Sequence, residues 1–320
     1  MSAPLLAVEG LSKAFRREGG GRIKAVASAS FAVAAGETLA LVGESGCGKT
    51  TLARTACLLY RPDGGSVRLA GVELTSLSRA ALKPYRRRIQ LVFQDPFASL
   101  NPRLRIGSIV AEPLAIHRIG GAAERRARVL RVLASLGLGE ADLERFPHEF
   151  SGGQRQRIAI ARALVLEPDL IVADEPLSAL DVSIQAQLLE LLGGLRRRLG
   201  LAMLFISHDL AAVERIADRI AVMYLGRIVE LAPRAELLAR PRHPYSEALL
   251  AAVPRLGRGK RAPGSAAKGE VANPLAPPPG CAFHPRCPKA QAICKEREPP
   301  LETKADEAST SRQVACHFPN

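Results

Sequence analysis

The stretch Gly43-Glu44-Ser45-Gly46-Cys47-Gly48-Lys49-Thr50 constrains the fold of this chain more than any other. It follows the short apolar run 37–42, which reads as a strand, and it opens a helical stretch that reaches about Tyr60. In a Gly-x4-Gly-Lys-Thr segment between strand and helix, the glycines let backbone N–H groups turn toward one point, with the positive end of the helix behind them. Such a point suits phosphate oxygens. Lys49 reaches the β- and γ-phosphates, the Thr50 hydroxyl ligates Mg²⁺, and Thr51 completes the phosphate-binding set. A thiol at Cys47, close to a helix N-terminus, is expected to have a lowered pKa and to react with alkylating reagents unless ATP shields it.

A second site element lies far downstream. Leu170-Ile171-Val172-Ala173 is a continuous apolar run of the kind found in buried parallel strands, and it ends in Asp174-Glu175. Asp174 then emerges at the C-terminal end of a strand, where α/β sheets bind their ligands, and can hold the Mg²⁺ shell. Glu175 is placed to orient or polarise a water for attack on the γ-phosphorus. Standing alone, such an acidic pair reads equally well as a helix cap.

The rest of the chain supports an α/β body with a parallel sheet. Strands are expected at 5–8, 89–93, 202–206, 220–225 and 226–231, and helices at 184–199 and 210–217. From about 106 to 166 the strand signal gives way to helical spacing, which marks an inserted helical subdomain at about 96–168. Residues 254–279 contain six Pro and four Gly and read as a linker between a main unit, 1–253, and a Cys-bearing tail, 280–320. That tail has too few large apolar residues to build a core alone.

Composition narrows the function classes. The chain has 320 residues, of which 47% are hydrophobic, so it is not disordered throughout. No apolar run approaches the ~18 residues of a membrane span, and no secretory signal opens the sequence, so a cytoplasmic location is expected. The net charge of +14 fits nucleic acid, anionic lipid, nucleotide phosphates or solvated helix faces. With no Trp and 4% aromatics, a stacking platform for single-stranded nucleic acid is disfavoured.

Ser151-Gly152-Gly153-Gln154-Arg155, together with the phosphate loop and Asp174-Glu175, resembles the ATP-binding cassette family of ATPases. Other family motifs stand in order: Gln94 in Phe93-Gln94-Asp95-Pro96 looks like the Q-loop, which touches Mg²⁺ and the membrane-spanning subunit. Ser178-Ala179-Leu180-Asp181 looks like the D-loop, and His208 in Ser207-His208-Asp209 matches the switch histidine. Phe15 sits where the family places an adenine-stacking aromatic, more often Tyr. The resemblance covers residues 5–235. It implies a parallel sheet core with an antiparallel portion and the helical subdomain. It also implies ATP and Mg²⁺ as cofactors, Glu175 and His208 as catalytic residues, and a head-to-tail dimer. In that dimer the residues from Ser151 bind the γ-phosphate of ATP held by the partner, consistent with N–H groups at a helix start.

The extended Q-loop from Ile89 to Pro102, the segment Arg242-His243-Pro244-Tyr245-Ser246-Glu247 and the tail motif Gly280-Cys281-Ala282-Phe283-His284-Pro285-Arg286-Cys287 resemble peptide and nickel importers. The finer likeness is to the F-type subunit of dipeptide permeases. It implies a peripheral protein on the cytoplasmic face of the membrane, a second ATPase subunit, two permease subunits, an indirect solute-binding partner and no nucleic acid. An ATPase acting on nucleic acid or the ribosome is the alternative; the coiled-coil insertions or second cassette usual in such relatives are missing. Cys281, Cys287, Cys294 and Cys316 suit a [4Fe–4S] cluster, which the family resemblance favours, or zinc, though no Cys-x2-Cys pair occurs; free thiols are the third reading. Because the nucleotide motifs lie upstream of the linker, the tail is expected to leave the nucleotide site chemically complete without it.

Overall fold

The computed structural model describes residues 3–16, 20–178, 180–252, 273, 275–303 and 312–320. Eleven strands among these form one sheet: β1 (Leu6–Arg16), β2 (Arg22–Val33), β3 (Thr38–Val42), β4 (Gly64–Leu69), β5 (Val72–Glu73), β6 (Ile89–Val92), β7 (Leu170–Asp174), β8 (Ala202–Ile206), β9 (Arg219–Tyr224), β10 (Arg227–Pro233) and β11 (Gln313–Val314). Their order is β5-β4-β1-β2-β10-β9-β3-β8-β7-β6, with β11 on β10. Strands β9, β3, β8, β7 and β6 run parallel, while β5, β4, β1 and β2 are antiparallel. The two halves meet where Arg227 stands opposite Ser28.

Strand alternation splits the core in two. On β3, Ala40 and Val42 face one cluster while Leu39 and Leu41 face the other; β7 and β8 alternate likewise. Both faces are covered, which is why these strands are continuous apolar runs. Helix α1 (Lys49–Ala56) packs on one face, and α2 (Lys83–Arg88) leads into β6. The opposite face carries α3 (Pro96–Ser99), α4 (Ile106–Ile116), α5 (Ala122–Ser135), α6 (Gly152–Leu164), α7 (Val182–Leu199) and α8 (Leu210–Ile216). Helices α9 (Arg234–Ala239) and α10 (Pro244–Ala251) follow β10, and α11 (Ala292–Glu296) lies in the tail.

Two differences from the sequence reading have physical causes. The first strand runs to Arg16 rather than ending near residue 8, and β2 and β4 were not foreseen. The tail does not stand apart. Phe283 is buried against Tyr224 and Tyr245, ring centroids 5.3 and 5.4 Å away, and so borrows the core of the main body. Its last strand pairs Val314 with Glu230. Glu230 is fully buried and accepts from the backbone N–H groups of Arg242 and His243, at 2.9 Å each, and from Arg312 at 2.8 Å. A buried carboxylate is tolerated because these donors replace its water. Most of the expected linker, residues 254–272 and 274, lies outside those described.

Candidate nucleotide site

The phosphate loop leaves β3 between two strands that fix its path. A Cβ on Gly43 would stand 2.2 Å from the Met223 carbonyl oxygen on β9; one on Gly48, at φ +106°, would stand 2.1 Å from the Ala25 carbonyl oxygen on β2. Only glycine permits both approaches. The Gly226 N–H donates to the Cys47 carbonyl at 2.8 Å, and the Glu44 N–H donates to the Tyr245 hydroxyl at 2.9 Å. Lys49 is buried, and its Nζ donates to the carbonyls of Gly43, at 2.8 Å, and Glu44, at 3.0 Å. An ammonium has three donors, so this arrangement holds the charge at the loop mouth and leaves a third N–H for a phosphate oxygen. Ser45 and Gly46 form the exposed crest of the loop, and Thr51 sits in the first turn of α1.

Two of the three Mg²⁺ candidates, Thr50 and Asp174, stand together. The Thr50 hydroxyl donates to Asp174 Oδ1 at 2.9 Å. Asp174 is fully buried, and its Oδ2 has no hydrogen-bond partner among the described residues. Burial raises its pKa, partly offset by the Thr50 hydrogen bond and by the charges of Arg54 and Lys49. An orphaned carboxylate oxygen beside a threonine hydroxyl is a hard-oxygen donor set of the kind Mg²⁺ takes, so the residues fit the ion.

Two side chains converge on one atom of Glu175. Its Oε2 accepts from Gln94 Nε2 at 3.1 Å and lies 3.3 Å from His208 Nδ1. Glu175 takes the left-handed conformation, φ +47°, and its N–H donates to the Ile206 carbonyl at 3.0 Å, so the chain turns sharply off β7. A non-glycine residue in that region costs on the order of 1 kcal/mol or more and aims the carboxylate away from the strand axis. A carboxylate there, adjacent to Asp174, can orient a water.

The segment from Ser151 caps α6. Its hydroxyl accepts from the Gln154 N–H at 3.3 Å, and the Gln154 side chain accepts from the Ser151 N–H at 3.0 Å. Gly153 packs against α7: a Cβ there would stand 2.6 Å from Ile184 Cγ2, and one on Gly152 would touch Leu180 at 3.6 Å. Among the described residues no hydrogen bond links these positions to the phosphate loop of the same chain. Asp181 is the exposed N-cap of α7, and Gln185 Nε2 donates to the carbonyls of Leu177 and Leu180 at 3.0 Å each. Ala179, inside the expected D-loop, lies outside the described residues. The Phe15 ring meets Tyr60 edge-on at 5.4 Å, with Lys13 Nζ 5.7 Å from its centroid.

Residues 26–178 match the family described as "ABC transporter", and residues 229–294 match "Oligopeptide/dipeptide transporter, C-terminal region". The chain is 50% identical to a probable peptide ABC transporter ATP-binding protein, y4tS, of Sinorhizobium fredii, over 99% of this chain and 90% of that one. It is 51% identical to the oligopeptide transport ATP-binding protein AppF of Bacillus subtilis, over 93% and 90%. Identity to the di/tripeptide transport ATP-binding protein DppF of Pseudomonas aeruginosa is 48%, over 94% and 91%. The chain belongs to the ATP-binding cassette family.

Solved cassettes share its fold. The dimeric cassette MJ0796, in a post-hydrolysis state bound to ADP and Pi, matches with a TM-score of 0.65 and 30% identity, over 72% of this chain and 98% of that one. The cbiO1 cassette of Clostridium perfringens matches at 0.66 and 28%, over 74% and 92%. The cassette is therefore an ATPase that uses ATP and Mg²⁺. Among the described residues no helix is long and apolar enough to cross a membrane.

Two sequence expectations are corrected by the geometry. Cys47 is buried, and its thiol pKa is raised, not lowered: desolvation outweighs the pull of Lys49. Its Sγ packs beneath Gly43, inside the loop. Cys47 is therefore expected to stay unlabelled by iodoacetamide in the folded cassette, with or without ATP, and to label on unfolding. Mass spectrometry of native and denatured protein checks this, and prompt native labelling would refute it. The second correction concerns the tail, whose Arg286 bonds directly to Glu44 of the phosphate loop. Sequence reasoning missed Arg286 and Tyr245 as parts of this site. Both stand inside family-like motifs, but no spacing rule connects either to residue 44.

Proposed function

We propose that this cassette is the ATP-hydrolysing subunit of an importer that moves di- or oligopeptides across the cytoplasmic membrane. The observation that carries the reading is the joint match to the cassette family and to the oligopeptide/dipeptide C-terminal region, with relatives named for peptide transport at about 50% identity over nearly their whole length. Residues 1–253 form the ATPase unit, with 96–168 as its helical subdomain; 254–279 link it to the tail, 280–320.

In this reading Gly43 to Thr51 bind the phosphates, Phe15 stacks on adenine, and Thr50, Gln94 and Asp174 serve Mg²⁺. Glu175 acts as the base that orients water, with His208 and Gln94 holding its carboxylate. The N–H groups following Ser151, together with Gln154 and Asp181, complete the site of a partner cassette, so each ATP lies between two subunits. The partner is a second ATPase subunit in a heterodimer. Phe93 is exposed and lines one groove with the exposed Leu59 and Ile116, and Phe97 is exposed as well. Apolar side chains in this groove suit a helix from one of two permease subunits, the second ATPase subunit taking the other. A solute-binding protein outside the membrane acts indirectly, and nucleic acid is not a partner. The Arg155 guanidinium lies over the Phe97 ring at 3.9 Å, which joins the docking groove to the segment from Ser151.

The test is co-purification with two permease subunits and ATPase stimulation in proteoliposomes by a peptide-loaded binding protein. Retention on DNA in place of permease binding would overturn the reading.

Cys281, Cys287, Cys294 and Cys316 line one small cavity with Phe283 and His243. Burial raises the pKa of the Cys281, Cys287 and Cys316 thiols, the last to about 11, and neighbouring cysteines push each further up. Among the described residues no group of three or more His, Cys, Asp or Glu stands ready to hold a single metal ion. The four-thiol donor set suits a [4Fe–4S] cluster, which needs four thiolates and would crosslink the tail. Anaerobically purified protein is expected to be brown with about four irons per chain, most of them lost when any one of the four is replaced by Ser. Zinc alone, or four free thiols and no metal, would overturn the cluster.

A further inference from the structure

Among the described residues, an ion pair joins the tail to the phosphate loop. A tight turn at His284–Arg286, between Cys281 and Cys287, presents Arg286 to Glu44. Nη1 donates to Oε2 and Nη2 to Oε1, both at 3.0 Å, the two-pronged geometry of guanidinium on carboxylate. The Arg286 side chain is 9% exposed and that of Glu44 28%, so solvent screens the pair little. Arg286 also lies near the rings of Phe283 and Tyr224, at 5.8 and 5.9 Å, which anchor it to the core.

Glu44 is fully engaged. Its N–H is held by the Tyr245 hydroxyl, its carboxylate by Arg286, and its carbonyl by Lys49 Nζ. A movement of Glu44 therefore moves the acceptor that places Lys49. Its charge matters as well: a free carboxylate in a loop that gathers phosphates repels them, and in a partly desolvated setting that repulsion is strong.

We propose that Arg286 is a positioning residue of the nucleotide site: it cancels the charge of Glu44 and fixes the backbone carbonyl that holds Lys49, so that the folded tail sets the affinity for nucleotide. The inference rests on reading the loop as an ATP site. It goes beyond that reading by making a residue from the far end of the chain part of ATP affinity.

The test is a double-mutant cycle on the full chain, with the dissociation constant of Mg-ATP measured by calorimetry for Arg286→Ala, Glu44→Ala and the double variant. Arg286→Ala is expected to weaken binding about tenfold, because it leaves Glu44 charged and unpaired. Glu44→Ala removes the unpaired charge together with the grip of Arg286 on the loop, so it is expected to weaken binding by less than Arg286→Ala does, and the double variant to recover to the Glu44→Ala level. Arg286→Gln, which fills similar space without charge, carries the same expectation as alanine and keeps the cycle available if the alanine variant does not fold. Arg286→Lys keeps the charge but loses the two-pronged contact, and its affinity should fall between those of the unaltered chain and Arg286→Ala. Suppression by the second substitution distinguishes positioning from a structural defect, since a damaged tail would not be repaired at residue 44. Unchanged affinity in both Arg286→Ala and Arg286→Gln, or a double variant as weak as Arg286→Ala alone, would overturn the proposal. Binding by the unaltered chain reports the ATP site itself, so failure of that reading is seen separately.

Discussion

Glu175→Gln is expected to leave ATP binding within a fewfold of normal while lowering hydrolysis about a thousandfold, which corresponds to about 4 kcal/mol of transition-state stabilisation. The amide fills the same space at the same left-handed position off β7, so the turn that aims it survives. It cannot take a proton. Nor does it bring the negative charge that draws the Gln94 amide, at 3.1 Å, and the His208 ring, at 3.3 Å, onto a single oxygen. The variant should therefore accumulate as an ATP-closed dimer. Single-turnover hydrolysis in the assembled transporter, with the dissociation constant measured in parallel, checks both halves. Turnover within tenfold of the unaltered protein would remove Glu175 from its role.

Gly48→Ala is expected to abolish measurable nucleotide binding and to lower stability by about 3 kcal/mol. The added Cβ would stand 2.1 Å from the Ala25 carbonyl oxygen, in backbone that β2 holds within the sheet, and the residue would keep φ near +106°. Gly46→Ala is the control. Its φ of +77° is also left-handed, but nothing lies within 4 Å of the added carbon. Backbone strain alone should cost it about 1 kcal/mol. Thermal melting of both variants separates collision from strain; equal losses would show that the approach to Ala25 does not limit the loop.

The parts of this site legible in the sequence were those set by local rules. The phosphate loop follows from strand, glycines and helix within fifteen residues, and Asp174-Glu175 follows from a buried strand that ends in acids. Strand β8 lies at Ala202–Ile206 as read, because a short apolar run covered on both faces has few other solutions. Strand β2 was missed although its alternation is present: Val26, Ala29, Phe31 and Val33 are buried and Ser28 and Ser30 exposed, but the small Ala and Ser side chains at its centre dilute the apolar signal. Cys47 shows a different limit. A helix N-terminus gives the direction of an electrostatic pull, but sequence gives no depth, and depth decided the sign. The contact from Arg286 to Glu44 spans 242 positions, and only the folded sheet brings them together.

That separation has a consequence in time. A ribosome adding about 5–20 residues per second makes Arg286 roughly 10–50 s after Glu44. For that interval a growing chain can assemble β3, the loop and α1 from residues it already holds, while the acid at position 44 still awaits its cation. The phosphate loop of a nascent chain is thus unclamped during most of synthesis, and its final electrostatic state arrives only when the cysteine turn has emerged and folded back onto the sheet.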